Sequence, residues 1–246
     1  MAAEQPTLLD RIRGTVAADL AAVDATIRRE LASDVVLVNQ VSEYIIGAGG
    51  KRLRPLLVLL AARAAGAPPL GPQVMAAVVI EFIHTATLLH DDVVDGSHQR
   101  RGRDTANEVW GNSASVLVGD FLYSRAFQMM VRLKSLRVME IMADATNVIA
   151  EGEVLQLMNA HDPDTSESRY LEVIYRKTAR LFEAGAQIAA VLAGGAPPVE
   201  RALACYGRHL GNAFQLVDDA LDYRGNALER GKNTGCLLYT SPSPRD

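Results

Sequence analysis

One helical run is apolar on nearly every side. Residues 74–89, VMAAVVIEFIHTATLL, are interrupted by ionisable groups only at Glu81 and His84, and the run leads into HDDVVD. A surface helix carries one apolar stripe, whereas a helix apolar all round must be covered by neighbours on every side. The chain therefore predicts a central helix wrapped by others. Glu81 and His84 divide the run, so no transmembrane span is expected from it.

The rest of the sequence supplies the wrapping helices. Leu9, Ile12, Val16, Leu20, Val23, Ile27 and Leu31 recur every three or four positions and predict one amphipathic helix. A second is expected over 34–46, ending at the glycines of GAGG, which tolerate positive φ. Pro55 suits the first turn of a third helix, which stops at Gly66. Further helices are expected over 113–132, 136–159, 167–193 and 199–223, with a polar loop over 96–111 and a Ser- or Thr-capped loop at HDPDTSES. No period-two strand pattern appears. Alanine and leucine dominate and aromatic residues are only 5%, which favours helix over sheet. The expected fold is all-α, one helical domain.

Charge narrows the function. The net charge of −4 argues against a nucleic-acid binder driven by bulk electrostatics. The two cysteines, Cys205 and Cys236, are too few for a disulfide framework and fit a reducing cytosol. The N-terminal MAAEQPTLLDRIRG mixes acidic and basic residues and lacks a signal-peptide core.

Two acidic clusters share one spacing. Asp91, Asp92 and Asp95 stand at i, i+1 and i+4, and so do Asp218, Asp219 and Asp222 in QLVDDALD. On a helix, i and i+4 share a face. Carboxylates so placed repel one another unless a cation lies between them, and Mg²⁺ prefers oxygen ligands and keeps phosphates in its shell. A single cluster could be a solvated helix end, but repetition after two apolar runs suggests two walls of one cavity. Local basic residues complete the pattern: Lys51, Arg52 and Arg54 after the glycine turn, Arg100 and Arg101 after the first cluster, then Lys177 and Lys232. Arginine forks and lysine point charges both hold phosphate oxygens.

These segments resemble the trans-polyprenyl diphosphate synthases. The matching motifs are GGKRLRP (49–55), DDVVD with RRG (91–95, 100–102), KTA (177–179) and FQLVDDALD (214–222). IEFIHTATLLHDDVVD, SVLVGDFLYSRAFQMM and NVIAEGEVLQLMN look most like the bacterial octaprenyl branch, whose products become respiratory quinone side chains. The resemblance implies a single-domain isoprenoid synthase bundle around a central apolar cavity, and a prenyltransferase that extends an allylic diphosphate, farnesyl diphosphate for instance, with isopentenyl diphosphate. It implies that Asp91, Asp95 and Asp218, supported by Asp92, Asp219 and Asp222, hold Mg²⁺, three ions in all, with Mn²⁺ as a substitute. Arg100, Lys177 and Lys232 would contact the allylic diphosphate, with Gln215 nearby. Lys51, Arg54, His84 and Arg101 would hold isopentenyl diphosphate, although a histidine on an apolar helix is by itself more often a core residue. Residues one and two turns before Asp91, namely Thr87, Ala86 and Ile83, would gauge product length, with Phe127 or Met130 as a floor. One turn rises about 5.4 Å, near one isoprene unit; Ala86 and Thr87 are small, so a long product is expected, and the resemblance implies about eight units.

The resemblance ends near Gly235. The family continues with an aspartate pair and closing helices where this chain has NTGCLLYTSPSPRD, so the synthase domain is expected over 1–235 without those helices, followed by an unrelated or disordered tail over 236–246. The missing wall puts turnover in question. The resemblance also implies a cytoplasmic homodimer delivering its product to the membrane. Rival readings are a synthase of other product length, a terpene cyclase, a non-catalytic subunit of a synthase, or a plain helical scaffold. The GGKRLRP cradle speaks against the cyclase, and two complete acidic clusters speak against the subunit.

Overall fold

The computed structural model describes residues 7–47, 49–100, 102–159 and 166–224, without the side chains of Asn159, Asp222, Tyr223 and Arg224. The chain forms α1 (Leu8–Gly14), α2 (Ala17–Leu31), α3 (Val36–Gly47), α4 (Leu53–Ala64), α5 (Gln73–Val94) and α6 (Ala106–Trp110). It continues with α7 (Asn112–Arg132), α8 (Leu136–Asn159), α9 (Glu167–Ile174), a π-helical turn (Tyr175–Ala179), α10 (Arg180–Leu192) and α11 (Pro197–Arg224).

The apolar run is the central helix, as its pattern requires. α5 packs against α2, α4, α7 and α10, and Val78, Val79, Phe82, Ile83 and Ala86 are fully covered. By length and composition α5 could cross a membrane, with mean hydropathy 1.4, yet 72% of its apolar window is buried inside the fold. Burying each large aliphatic or aromatic side chain contributes roughly 1.5–3 kcal/mol, so this helix anchors the bundle.

Three sequence expectations are corrected. The first amphipathic stripe is broken between α1 and α2: Thr15 caps the end of α1, and its N–H bonds back to Arg13 and Ile12. Val16, Val23, Ile27 and Leu31 are still buried as the stripe predicts. Second, the loop over 96–111 contains a two-residue antiparallel ribbon, β1 (Gln99–Arg100) and β2 (Arg103–Asp104), with Gln99 opposite Asp104 and Arg100 opposite Arg103. Such a ribbon is too short for alternating hydrophobicity to reveal it. Third, the helix expected over 167–193 is interrupted by the π-helical turn. One extra residue per turn leaves no break in the apolar pattern, but π turns mark functional positions often enough to direct attention there.

The ends of elements are set by local chemistry. Thr7 and Asp10 form a reciprocal capping box on α1. α5 stops at Gly96, at φ +59°, and the Ser97 N–H returns to the Asp92 carbonyl at 2.9 Å. That closure is a Schellman-type cap, and it turns the chain back toward the acidic end of α5. The glycine turn before α4 ends on Arg52, which adopts φ +48°. A left-handed non-glycine residue costs about 1–3 kcal/mol. Here its guanidinium is held by the buried Glu81 at 2.5 Å, with Asp24 at 3.7 Å.

Candidate active site

The first acidic cluster ends α5. Asp91 is half-buried, Asp92 buried and Asp95 exposed as the C-terminal cap. Asp92 is taken up locally: Arg100 Nε and Nη2 donate to its Oδ1 at 3.0 and 2.8 Å. The ribbon makes this possible. Tyr44 donates to the Asp104 carbonyl at 2.8 Å, Thr105 to the Ser97 carbonyl at 2.6 Å, and the Tyr44 ring meets Trp110 edge-on. These contacts fold the arginine back over the helix end.

Asp91 meets a different cation. Lys177 Nζ lies 3.6 Å from Asp91 Oδ2 and 2.9 Å from Glu153 Oε2. Burial pushes the Asp91 carboxyl up to about 7; Lys177 opposes this, and Glu153 and Asp95 reinforce it. For Lys177, burial acts downward, but Asp91 and Glu153 outweigh it and hold the ammonium above the ordinary lysine value. Three carboxylates thus share one lysine. Such a site calls for further positive charge.

The second cluster lies on α11. Asp219 is buried and both its oxygens are occupied: Tyr170 donates to Oδ2 at 2.5 Å and Gln215 Nε2 to Oδ1 at 2.7 Å. Gln215 Oε1 in turn accepts from Thr178 at 2.8 Å. Lys177 and Thr178 are neighbours on the π turn. That turn therefore reaches the first cluster with one residue and the second with the next.

Two glycines permit the approach. A Cβ on Gly152 of α8 would stand 2.7 Å from Arg176 Cβ, and one on Gly211 of α11 would stand 2.5 Å from Ala179 Cα. The π turn is gripped between α8 and α11 at distances that only glycine allows.

The basic side of the site begins on α4. Arg54 Nη1 lies 3.0 Å from His84 Nε2. Arginine can only donate, so Nε2 accepts and the imidazole proton is assigned to Nδ1. The Arg54 guanidinium also stacks over Phe182, 4.6 Å from the ring centroid, and Phe182 packs on Phe214. Lys51 is exposed before α4, and its carbonyl accepts from Arg13 at 2.5 Å. Ile83 and Ala86 are fully buried; Thr87 is half-buried and donates to the His84 carbonyl at 2.8 Å. Arg101, Lys232, the side chain of Asp222 and residues 236–246 lie outside the described residues. Sequence reasoning missed Glu153, Tyr170 and the role of Thr178. Nothing near Glu153 or Tyr170 in the sequence marks either as a site residue.

The donor set suits a hard divalent cation. All candidate ligands are carboxylate oxygens, and the crowding at Asp91 favours added positive charge. Among the described residues no three His, Cys, Asp or Glu side chains converge to hold an ion alone.

A helical bundle of this kind is the isoprenoid synthase fold of solved polyprenyl synthases. The chain belongs to the polyprenyl synthetase family, whose model matches residues 35–236, and its chemistry is prenyl transfer. It is 59% identical over 227 residues to the octaprenyl diphosphate synthase of Escherichia coli K12, covering 92% of this chain and 70% of that protein. It is 50% identical over 224 residues to the geranyl-diphosphate-specific all-trans-nonaprenyl-diphosphate synthase of Rhodobacter capsulatus, covering 91% of this chain and 69% of that protein. The polyprenyl synthase of Caulobacter crescentus CB15, solved with calcium and isoprenyl diphosphate, superposes with a TM-score of 0.92 at 49% identity, covering 98% of this chain and 73% of that one.

Proposed function

We propose that this chain is a long-chain trans-prenyltransferase that adds isopentenyl diphosphate to an allylic diphosphate, such as farnesyl diphosphate, to make an octaprenyl-type product. The observation that supports it most is the π turn, which carries Lys177 to Asp91 and Thr178 to Gln215 and so couples both aspartate walls. Mg²⁺ held by Asp91, Asp95 and Asp218, three ions in all, would supply positive charge against the leaving diphosphate.

The residues divide the work. Lys177 and Arg100 stand at the first wall, where charge develops on the diphosphate as the allylic C–O bond ionises, and fixed cations there lower the barrier. Arg54 and His84, with Lys51 and Arg101, hold isopentenyl diphosphate so that its double bond attacks the allylic cation. That attack leaves a tertiary cation on the isopentenyl unit, and loss of a proton from the adjacent carbon to the released diphosphate forms the new double bond. Phe182 and the apolar face of α5 keep water from the cation.

Product length follows from α5. Ala86, Thr87 and Ile83 lie one to two turns before Asp91, and the small pair leaves room for a growing chain. The nonaprenyl relative favours a second reading, in which the product is one unit longer. The synthase domain is placed at 1–235, and a cytoplasmic homodimer delivering its product to the membrane for quinone synthesis completes the proposal.

The test is incorporation of radiolabelled isopentenyl diphosphate onto farnesyl diphosphate, with and without Mg²⁺, and sizing after dephosphorylation. A Mg²⁺-dependent ladder ending near eight units is expected. Mg²⁺-independent or absent incorporation overturns the reading.

A further inference from the structure

Each oxygen of Asp219 accepts one hydrogen bond. Tyr170 bonds one of its oxygens and Gln215 the other, and Gln215 leads on to Thr178 beside Lys177. Four side chains from α9, α11 and the π turn thus form one continuous hydrogen-bonded relay. A buried carboxylate satisfied on both oxygens is fixed in direction, and what it fixes is the end of α11 against the π turn. Tyr170 is the outermost member. It comes from α9, an element that supplies none of the residues assigned to substrate or metal above.

The geometry points to Tyr170 as a positioning residue for the reaction. Its phenol orients Asp219, and through Gln215 and Thr178 it sets the spacing between the Asp218 wall and Lys177. This inference rests on the prenyl-transfer reading of the site. Partners that orient a metal or substrate shell typically change its affinity or activity by about 10–100-fold when removed. The effect should fall on the allylic side alone, because the relay does not touch Arg54 or His84.

The test is a double-mutant cycle on the full chain with Tyr170→Phe, Asp219→Asn and the double variant. Calorimetry measures binding of an unreactive allylic thiodiphosphate with Mg²⁺, and KM for isopentenyl diphosphate is measured in parallel. Melting of the metal-free proteins is recorded for the same set. Tyr170→Phe is expected to weaken thiodiphosphate binding about tenfold, leave KM for isopentenyl diphosphate unchanged, and add nothing in the Asp219→Asn background. Unchanged thiodiphosphate affinity, or equal losses in both backgrounds, overturns the role. A wild-type chain that binds no thiodiphosphate overturns the prenyl-transfer reading instead. In that case the metal-free melting cycle still decides the relay: non-additive melting shifts support it and additive shifts refute it.

Discussion

Lys177 places its ammonium 3.6 Å from Asp91 on α5 and 2.9 Å from Glu153 on α8. No local sequence relation joins these residues. The contact exists because a π turn redirects one side chain while Gly152 and Gly211 let two helices close on it. In the absence of metal, the lysine is the cation that lets the carboxylates share a buried space. With substrate and Mg²⁺ present, the same ammonium faces a diphosphate.

Removing Lys177 should therefore act on both stability and turnover. Lys177→Ala leaves Asp91 and Glu153 facing each other across a largely buried gap. A loss of about 10²–10³-fold in kcat is expected from deleting one charge-stabilising donor, with a lowered melting temperature in EDTA. Steady-state rates and thermal melts check both; retained turnover would remove Lys177 from the chemistry.

The raised Asp91 carboxyl predicts a pH dependence. Its folded value of about 7 lies above the ordinary 3.8, so in that interval the folded chain binds more proton than the unfolded chain. The stabilisation is full below the ordinary value and is lost as pH rises through about 7. Metal-free protein should melt lower at pH 7.5 than at pH 5, and Asp91→Asn should flatten that difference. Because metal binding must expel the proton, Mg²⁺ affinity should rise over the same interval. An equal slope in Asp91→Asn would assign the dependence elsewhere.

Gly211→Ala tests the grip on the π turn. The added methyl would lie 2.5 Å from backbone at Ala179, which cannot rotate away. α11 must shift, at a cost of about 1–3 kcal/mol from overpacking, and the Asp218 wall moves with it. A lower melting temperature and a reduced kcat are expected together. Loss of stability with full activity would show that the wall tolerates displacement.

Ala86→Tyr tests the ruler. Ala86 is fully buried one turn before the acidic cluster, on the face of α5 that is packed against other helices. A tyrosine there should block the growing chain and shorten the product; sizing the dephosphorylated products reads it directly. An unchanged length places the limit elsewhere, with Phe127 and Met130 on α7 as the next residues to vary.

Much of the bundle is legible in the sequence. α4, α5, α7, α8 and α11 begin and end within a few residues of where periodicity, glycine and proline place them. The ribbon holding Arg100 was not legible, because two-residue strands carry no alternation. Neither was the π turn at Lys177, since the apolar spacing around it still reads as ordinary helix. Glu153 and Tyr170 were hidden for a related reason: a carboxylate or phenol on a helix has no partner until tertiary packing supplies one.

What the sequence determined by itself is periodic or covalently near. It specifies that α5 must be central, that Gly96 stops it, and that two aspartate triplets end apolar helices. Those features follow from side-chain spacing and backbone freedom within a few residues. Tertiary structure alone decided which carboxylates are spoken for: Asp92 by Arg100, Asp219 by Tyr170 and Gln215, and Asp91 by Lys177. Pairing depends on distances of a few ångströms between elements far apart in the chain, and the close packing of α8, the π turn and α11 sets those distances.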